Sequence, residues 1–292
     1  MAFDLPADIP GVLDVEAPAA TAVPAPVVFD SPHSGVEMPP DFTPAVPIDR
    51  VLVATDTHVD ALFAGAPRHG APLLKALFPR SFLDVNRSLE DVDPLLLDQD
   101  WPGPLSHAGS VQRGMGLIWR YAWGDQPMYD RRLTVQEVQN RIDRYWWPYH
   151  AALQHLIDRT RSLFGQVWHI DCHSMPRRGH ALSPDPAGTE RADIVLGDRD
   201  GTTCAPMLTA FVADAFRRRG YEVAINTPFR GAELVRRYGH PARGQHSLQV
   251  ELNRKLYMDE VTRERSDGFS ELATDLGGIA GEICAYGRSQ IA

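Results

Sequence analysis

The chain is expected to fold as an α/β sandwich around a largely parallel or mixed sheet. Three observations predict it. Short apolar runs at 27–30, 167–172, 221–225 and 248–252 read as strands, while stripes at 134–157, 207–216 and 270–286 have helical spacing. The two kinds of segment alternate along the chain, as in βα units. Finally, 292 residues with 43% hydrophobic and 23% charged residues suit one large globular domain.

Taken in order, residues 1–26 are rich in Ala and Pro and carry Asp4, Asp8, Asp14 and Glu16, so they read as an irregular arm. Residues 27–292 then read as a single domain. Val27 to Asp30 is a strand, and Ser31-Pro32-His33-Ser34-Gly35 is the loop after it. Val59, Leu62 and Phe63 predict a helix after Asp56. Leu73 to Leu77 and Ser81 to Val85 read as two strands joined by Pro79-Arg80. Residues 89–130 hold many Pro, Gly and Asp and form an irregular excursion, with a hairpin expected around Gly116 to Trp123.

The clearest helix starts at Thr134, which has capping-box spacing to Glu137, and Pro148 is expected to kink it. Asp193 to Leu196 is a further short strand. Gly220 and Gly287 are expected to end the last two helices.

Composition excludes several functions. A net charge of −9 argues against nucleic acid as the main partner. No apolar run approaches the roughly 18 residues of a membrane helix. The acidic start lacks the charge and apolar core of a secretory signal, so a cytoplasmic protein is expected. Cys172, Cys204 and Cys284 are odd in number and far apart, which reads as reduced thiols. The sequence carries no signal of oligomeric state.

Chemistry concentrates in four polar clusters at strand ends or a helix start: His33; Asp56, His58 and Asp60; Asp171 and His173; and Glu251. His169, Asp171 and His173 share one strand face, and such a row is costly to bury unless it is hydrogen-bonded or holds a metal. Two His and a carboxylate form a common catalytic zinc set, and a further carboxylate can deprotonate the water. Each signal also has a plainer reading. His33 alone suits a structural histidine, Asp56 a helix cap, Glu251 an ion pair with Arg254 or Arg243, and Asn86-Arg87 a surface turn. His150 reads as a hydrogen-bonded structural residue, and His169 as a supporting group or a structural one. Ser34 and Ser174 lack the Gly-x-Ser-x-Gly setting of a nucleophile.

Asp30-Ser31-Pro32-His33-Ser34-Gly35, Asp56-Thr57-His58-Val59-Asp60, Asp84-Val85-Asn86-Arg87-Ser88, Asp171-Cys172-His173-Ser174 and Val250-Glu251-Leu252-Asn253 occur in this order. Together they resemble the N-formylglutamate amidohydrolase family, over roughly residues 27 to 285. The resemblance implies a three-layer α/β/α sandwich around a mixed, largely parallel sheet, similar to zinc carboxypeptidases and phosphorylase/hydrolase-like proteins. It implies Zn2+, or another divalent transition metal, held by His33, His173 and Asp56, with Asp60 as second choice for the carboxylate. Glu251 would be the general base. Asn86 and Arg87 would hold a substrate carboxylate, a task for which the guanidinium fork is suited. Ser174 and Arg230 are further candidates for contact with substrate.

Two departures bear on these expectations. Carboxypeptidases carry His-x-x-Glu, whereas Glu37 follows His33 by four residues. The segment expected to read Tyr-Lys-Gly-Gly reads Phe229-Arg230-Gly231-Ala232, so Arg230 is either a second anion-binding group or a solvated loop residue.

The implied activity is hydrolysis of a small anionic N-acyl amino acid, N-formyl-L-glutamate first, to formate and L-glutamate in histidine degradation. Another N-acyl amino acid or a peptide-like amide is the neighbouring reading. A non-catalytic small-molecule binding protein that keeps the pocket is the reading from a different class.

Overall fold

A computed structural model describes residues 5–122 and 126–291. Residues 1–4 of the arm, Trp123 of the expected hairpin and residue 292 lie outside these. Seven strands form one sheet: β1 (Leu13–Glu16), β2 (Val27–Ser31), β3 (Leu73–Ala76), β4 (Val167–Met175), β5 (Ile194–Gly197), β6 (Val223–Ile225) and β7 (Gln245–Asn253). Their order is β1-β3-β2-β4-β7-β5-β6. The β1–β3 and β5–β7 pairs are antiparallel and the others parallel, giving the mixed sheet that was expected.

The helices are α1 (Ile48–Leu52), α2 (Val59–Leu62), α3 (Gly109–Gln112), α4 (Val135–Arg141), α5 (Trp147–Phe164), α6 (Pro206–Arg217), α7 (Glu233–Tyr238) and α8 (Phe269–Ser289). Strand alternation sends Val28, Leu74 and Val167 to one face, where they meet Trp146, Tyr149, Leu153 and Leu156. Phe29, Leu73, Ile170, Leu248 and Val250 go to the other and meet Leu208, Val212, Leu276 and Ile279. Helices thus cover both faces, and the layers are α/β/α. No helix among the described residues is long and apolar enough to cross a membrane.

Local rules explain most boundaries. Thr134 Oγ1 accepts from the Glu137 amide at 3.1 Å, and Glu137 Oε2 accepts from the Thr134 amide at 2.8 Å, closing the capping box. Where Pro148 was expected to kink the helix, the chain passes from α4 through a π-helical segment, Ile142–Trp146, and Pro148 falls in the first turn of α5, where its missing N–H is tolerated. Gly287 does not cap α8. It lies within the helix, where a Cβ would sit 3.2 Å from Val27 and 3.3 Å from Trp168.

Four segments differ from expectation. Leu13–Glu16, inside the arm read as irregular, is an edge strand. Leu13 and Val15 are buried, while Asp14 and Glu16 pair with Lys75 of β3 at 2.6 and 2.5 Å. Ser81 to Val85 is not a strand, because its donors serve turns. The Phe82 amide bonds Pro79, the Asp84 amide bonds Leu117, and the Asn86 amide bonds the Asp84 carboxylate. The expected hairpin near 116–123 shows isolated bridges, Met115–Trp119 and Tyr121–Pro127. Helix α7 was not expected; its amide at Leu234 bonds Asn86 Oδ1 at 2.8 Å.

Candidate active site and metal centre

Strands β2, β4 and β7 run parallel, so their carboxyl ends lie together, where α/β sheets bind ligands. His33 follows β2, His173 is near the end of β4, and Glu251 is its register partner on β7. Asp56 comes from the loop before α2, whose amide donates to the His33 carbonyl at 2.9 Å. That bond ties the two loops together.

His33, Asp56 and His173 are buried, and one ligating atom from each lies within 4.8 Å of the others. Asp56 Oδ2 is 3.4 Å from His33 Nδ1 and 3.0 Å from His173 Nδ1. Its Oδ1 turns away and accepts from Arg254 Nη2 at 3.1 Å. Against the desolvation of burial, bonds from His173 and His33 and the Arg80 charge hold the Asp56 carboxyl well below the usual range. Asp56 does not cap α2: His58 occupies the cap position with no side-chain cap bond, and Ser34 Oγ accepts from the Asp60 amide at 3.1 Å. Asp60 is absent from the cluster, so the structure places Asp56, and not the second choice, between the histidines.

The far side of each ring meets a carboxylate. His33 Nε2 is 2.7 Å from Asp84 Oδ1. His173 Nε2 is 2.7 Å from Asp171 Oδ1, a charge contact rather than an aligned hydrogen bond, and 3.1 Å from Asn86 Nδ2. These contacts leave both Nδ1 atoms facing Asp56. His33 Nδ1 is buried and has no hydrogen-bond partner, an orphan that a metal would satisfy. Two imidazoles and a carboxylate form a donor set suited to zinc, and ring nitrogens backed by carboxylates are typical of ligating histidines.

Sequence reasoning quoted Asp84 without giving it a role, and it missed Arg80. Arg80 Nε and Nη2 bind Asp84 Oδ2 at 3.2 and 2.9 Å, while Nη1 lies 3.9 Å from Asp56 Oδ1. Their spacing of four residues just before Asn86-Arg87 was the available signal.

A cavity of about 280 Å³ adjoins the cluster, lined by Arg80, Asn86, Arg87, His173, Ser174 and Glu251 among others. Burial pushes the Glu251 carboxyl up to about 7, and Gln249 Nε2 donates to its Oε1 at 2.9 Å. Asn86 is held between the Leu234 amide and His173. Arg87 donates from Nε to Met115 and from Nη1 to the Asn86 carbonyl, both at 3.0 Å. Ser174 Oγ accepts from Arg254 Nε at 3.1 Å and so helps to hold the arginine that holds Asp56. Arg230 is on the rim, its side chain 62% exposed and paired with Asp200.

Below the site, His169 bonds Ser247 Oγ at 2.7 Å and Asp30 Oδ1 at 2.8 Å, and Tyr149 donates to Asp30 Oδ2 at 2.8 Å. All four side chains are buried, so they tie β2, β4, β7 and α5 together. His150 is likewise satisfied, by Val85 and Tyr238 at 2.9 Å each.

The N-formylglutamate amidohydrolase family model matches residues 25–258. The chain belongs to that family. A crystal structure of N-formylglutamate amidohydrolase from Ralstonia eutropha is 44% identical, with a TM-score of 0.91 over 96% of this chain and 100% of that one. An N-formylglutamate deformylase of Pseudomonas putida is 28% identical over 240 residues, 81% of this chain and 83% of its own. One from Pseudomonas aeruginosa is 27% identical over 273 residues, covering 91% and 96%. The matched residues include strands β2 to β7, His33, Asp56, His173 and Glu251, and this chain is a hydrolase of amide C–N bonds.

Proposed function

We propose that this amidohydrolase is a zinc-dependent N-formyl-L-glutamate deformylase, producing formate and L-glutamate in histidine degradation. The observation that carries the reading is the buried His33–Asp56–His173 cluster with its orphaned Nδ1, set beside Glu251. Zinc held by His33 Nδ1, Asp56 Oδ2 and His173 Nδ1 would supply Lewis acidity and lower the pKa of water.

This chain's own groups do the rest. Glu251 takes a proton from the attacking water and later delivers it to the leaving amine nitrogen. A carboxyl raised to about 7 by burial suits both steps near neutral pH. Arg80 Nη1 offers a donor for the negative charge that develops on the formyl oxygen. Asn86 and Arg87 hold the carboxylate next to the scissile amide and so fix the formyl group against the cluster.

The test is a panel of N-formyl, N-acetyl and N-succinyl amino acids given to the zinc-loaded protein, with amine release measured. N-formyl-L-glutamate should be the preferred substrate. Preference for another acyl group would overturn the substrate, and no turnover at all would favour the binding-protein reading.

A further inference from the structure

N-formylglutamate carries two carboxylates, and Asn86-Arg87 accounts for one. Six arginines line the cavity: Arg80, Arg87, Arg113, Arg191, Arg230 and Arg254. Four are already committed to acids. Arg80 binds Asp84, Arg191 binds Asp185 through two bonds of 2.9 and 2.7 Å, Arg230 pairs with Asp200, and Arg254 binds Asp56. Among the described residues, Arg87 donates to backbone carbonyls, those of Met115 and Asn86. Arg113 has no described acid partner, and its Nε–H is buried with no acceptor.

Arg113 caps the short helix α3 inside the 89–130 excursion. Burial and the neighbouring Arg87 charge push its pKa down. A half-buried guanidinium beside another, with an unpaired donor, is costly unless an anion joins them. Trp119, from the same excursion and also lining the cavity, has a buried Nε1–H without an acceptor. Burying unpaired donors in this way favours ligands that satisfy them and rejects those that do not.

We infer that Arg113 binds the side-chain carboxylate of the substrate and makes the enzyme selective for dicarboxylic N-acyl amino acids. The assignment rests on the deformylase reading. In it, Arg87 reads the carboxylate common to every N-acyl amino acid, and Arg113 reads the one that distinguishes glutamate. The substrate thus bridges two cations that make no ion pair among the described residues, in a chain that is acidic overall.

The experiment compares wild type, Arg113→Gln and Arg113→Lys on N-formyl-L-glutamate and its neutral isostere N-formyl-L-glutamine. Calorimetric binding of both to zinc-free protein gives a readout apart from turnover. Wild type should prefer the glutamate compound by roughly 10- to 100-fold, the range of a charged hydrogen bond. Arg113→Gln should raise its KM and Kd by a similar factor, leave kcat within about threefold, and leave the glutamine compound unchanged; Arg113→Lys should recover part of the loss. An equal loss on both compounds, or a fall in kcat alone, would overturn the assignment. So would equal use of both compounds by wild type, with the deformylase reading intact. Failure of wild type to turn over any formyl amino acid would overturn the deformylase reading, and this assignment with it.

Discussion

Asp84 Oδ1 lies 2.7 Å from His33 Nε2, on the opposite side of the ring from Asp56. The contact holds the proton on Nε2 and frees Nδ1. Asp84→Asn should therefore weaken zinc binding by roughly 10- to 100-fold, the usual effect of losing such a partner. Competition against a chromophoric chelator measures it. Unchanged affinity would remove Asp84 from the account.

Glu251→Gln keeps the shape of the base and removes its proton chemistry. Turnover should fall by about 10²- to 10⁴-fold while the bound zinc stays the same. Full activity in that variant would transfer the role of base to another group.

Gly35 follows the His33 loop, and a Cβ there would stand 2.2 Å from the Leu77 carbonyl carbon. Gly35→Ala must push the loop off the Leu77–Phe78 backbone just past β3. A stability loss of about 1–3 kcal/mol is expected, as for other overpacked sites, together with weaker zinc binding. Chemical denaturation and the same chelator titration report the two effects.

His150 gives a pH dependence away from the site. Burial lowers its pKa from 6.5 to about 3. The unfolded chain takes up this proton first, so stability is full above about 6.5 and is lost as the pH falls toward 3. Between about pH 7 and pH 5 the wild type should lose about 2 kcal/mol more than His150→Gln. Denaturant midpoints at the two pH values test it; parallel losses in both proteins would refute it.

The sequence was most legible where structure is local. Alternation placed His169, Asp171 and His173 on one face of β4, and Gln249, Glu251 and Asn253 on the matching face of β7. Thr134 and Glu137 announced a helix start that formed as spaced. What depended on distant partners was not legible. Asp84 meets His33 across 51 positions in sequence, and the Arg80–Asp84 spacing points to that pair without pointing to His33. Ser81 to Val85 has strand composition, yet its hydrogen bonds go to turns and to Leu117. The edge strand at 13–16 was hidden by the Ala and Pro around it, although Leu13 and Val15 alternate with the acids that reach Lys75. Arg230 could not be sorted from Arg113 by composition, because only the fold shows which guanidinium already has an acid.

The central claim is that His33, Asp56 and His173 hold one catalytic zinc. The most direct measurement is zinc content against formate release from N-formyl-L-glutamate during titration of metal-free protein. Activity should rise linearly and stop near one zinc per chain, and His173→Ala should neither bind the metal nor turn over. Full formate release from the metal-free chain, or full zinc binding by His173→Ala, would contradict it.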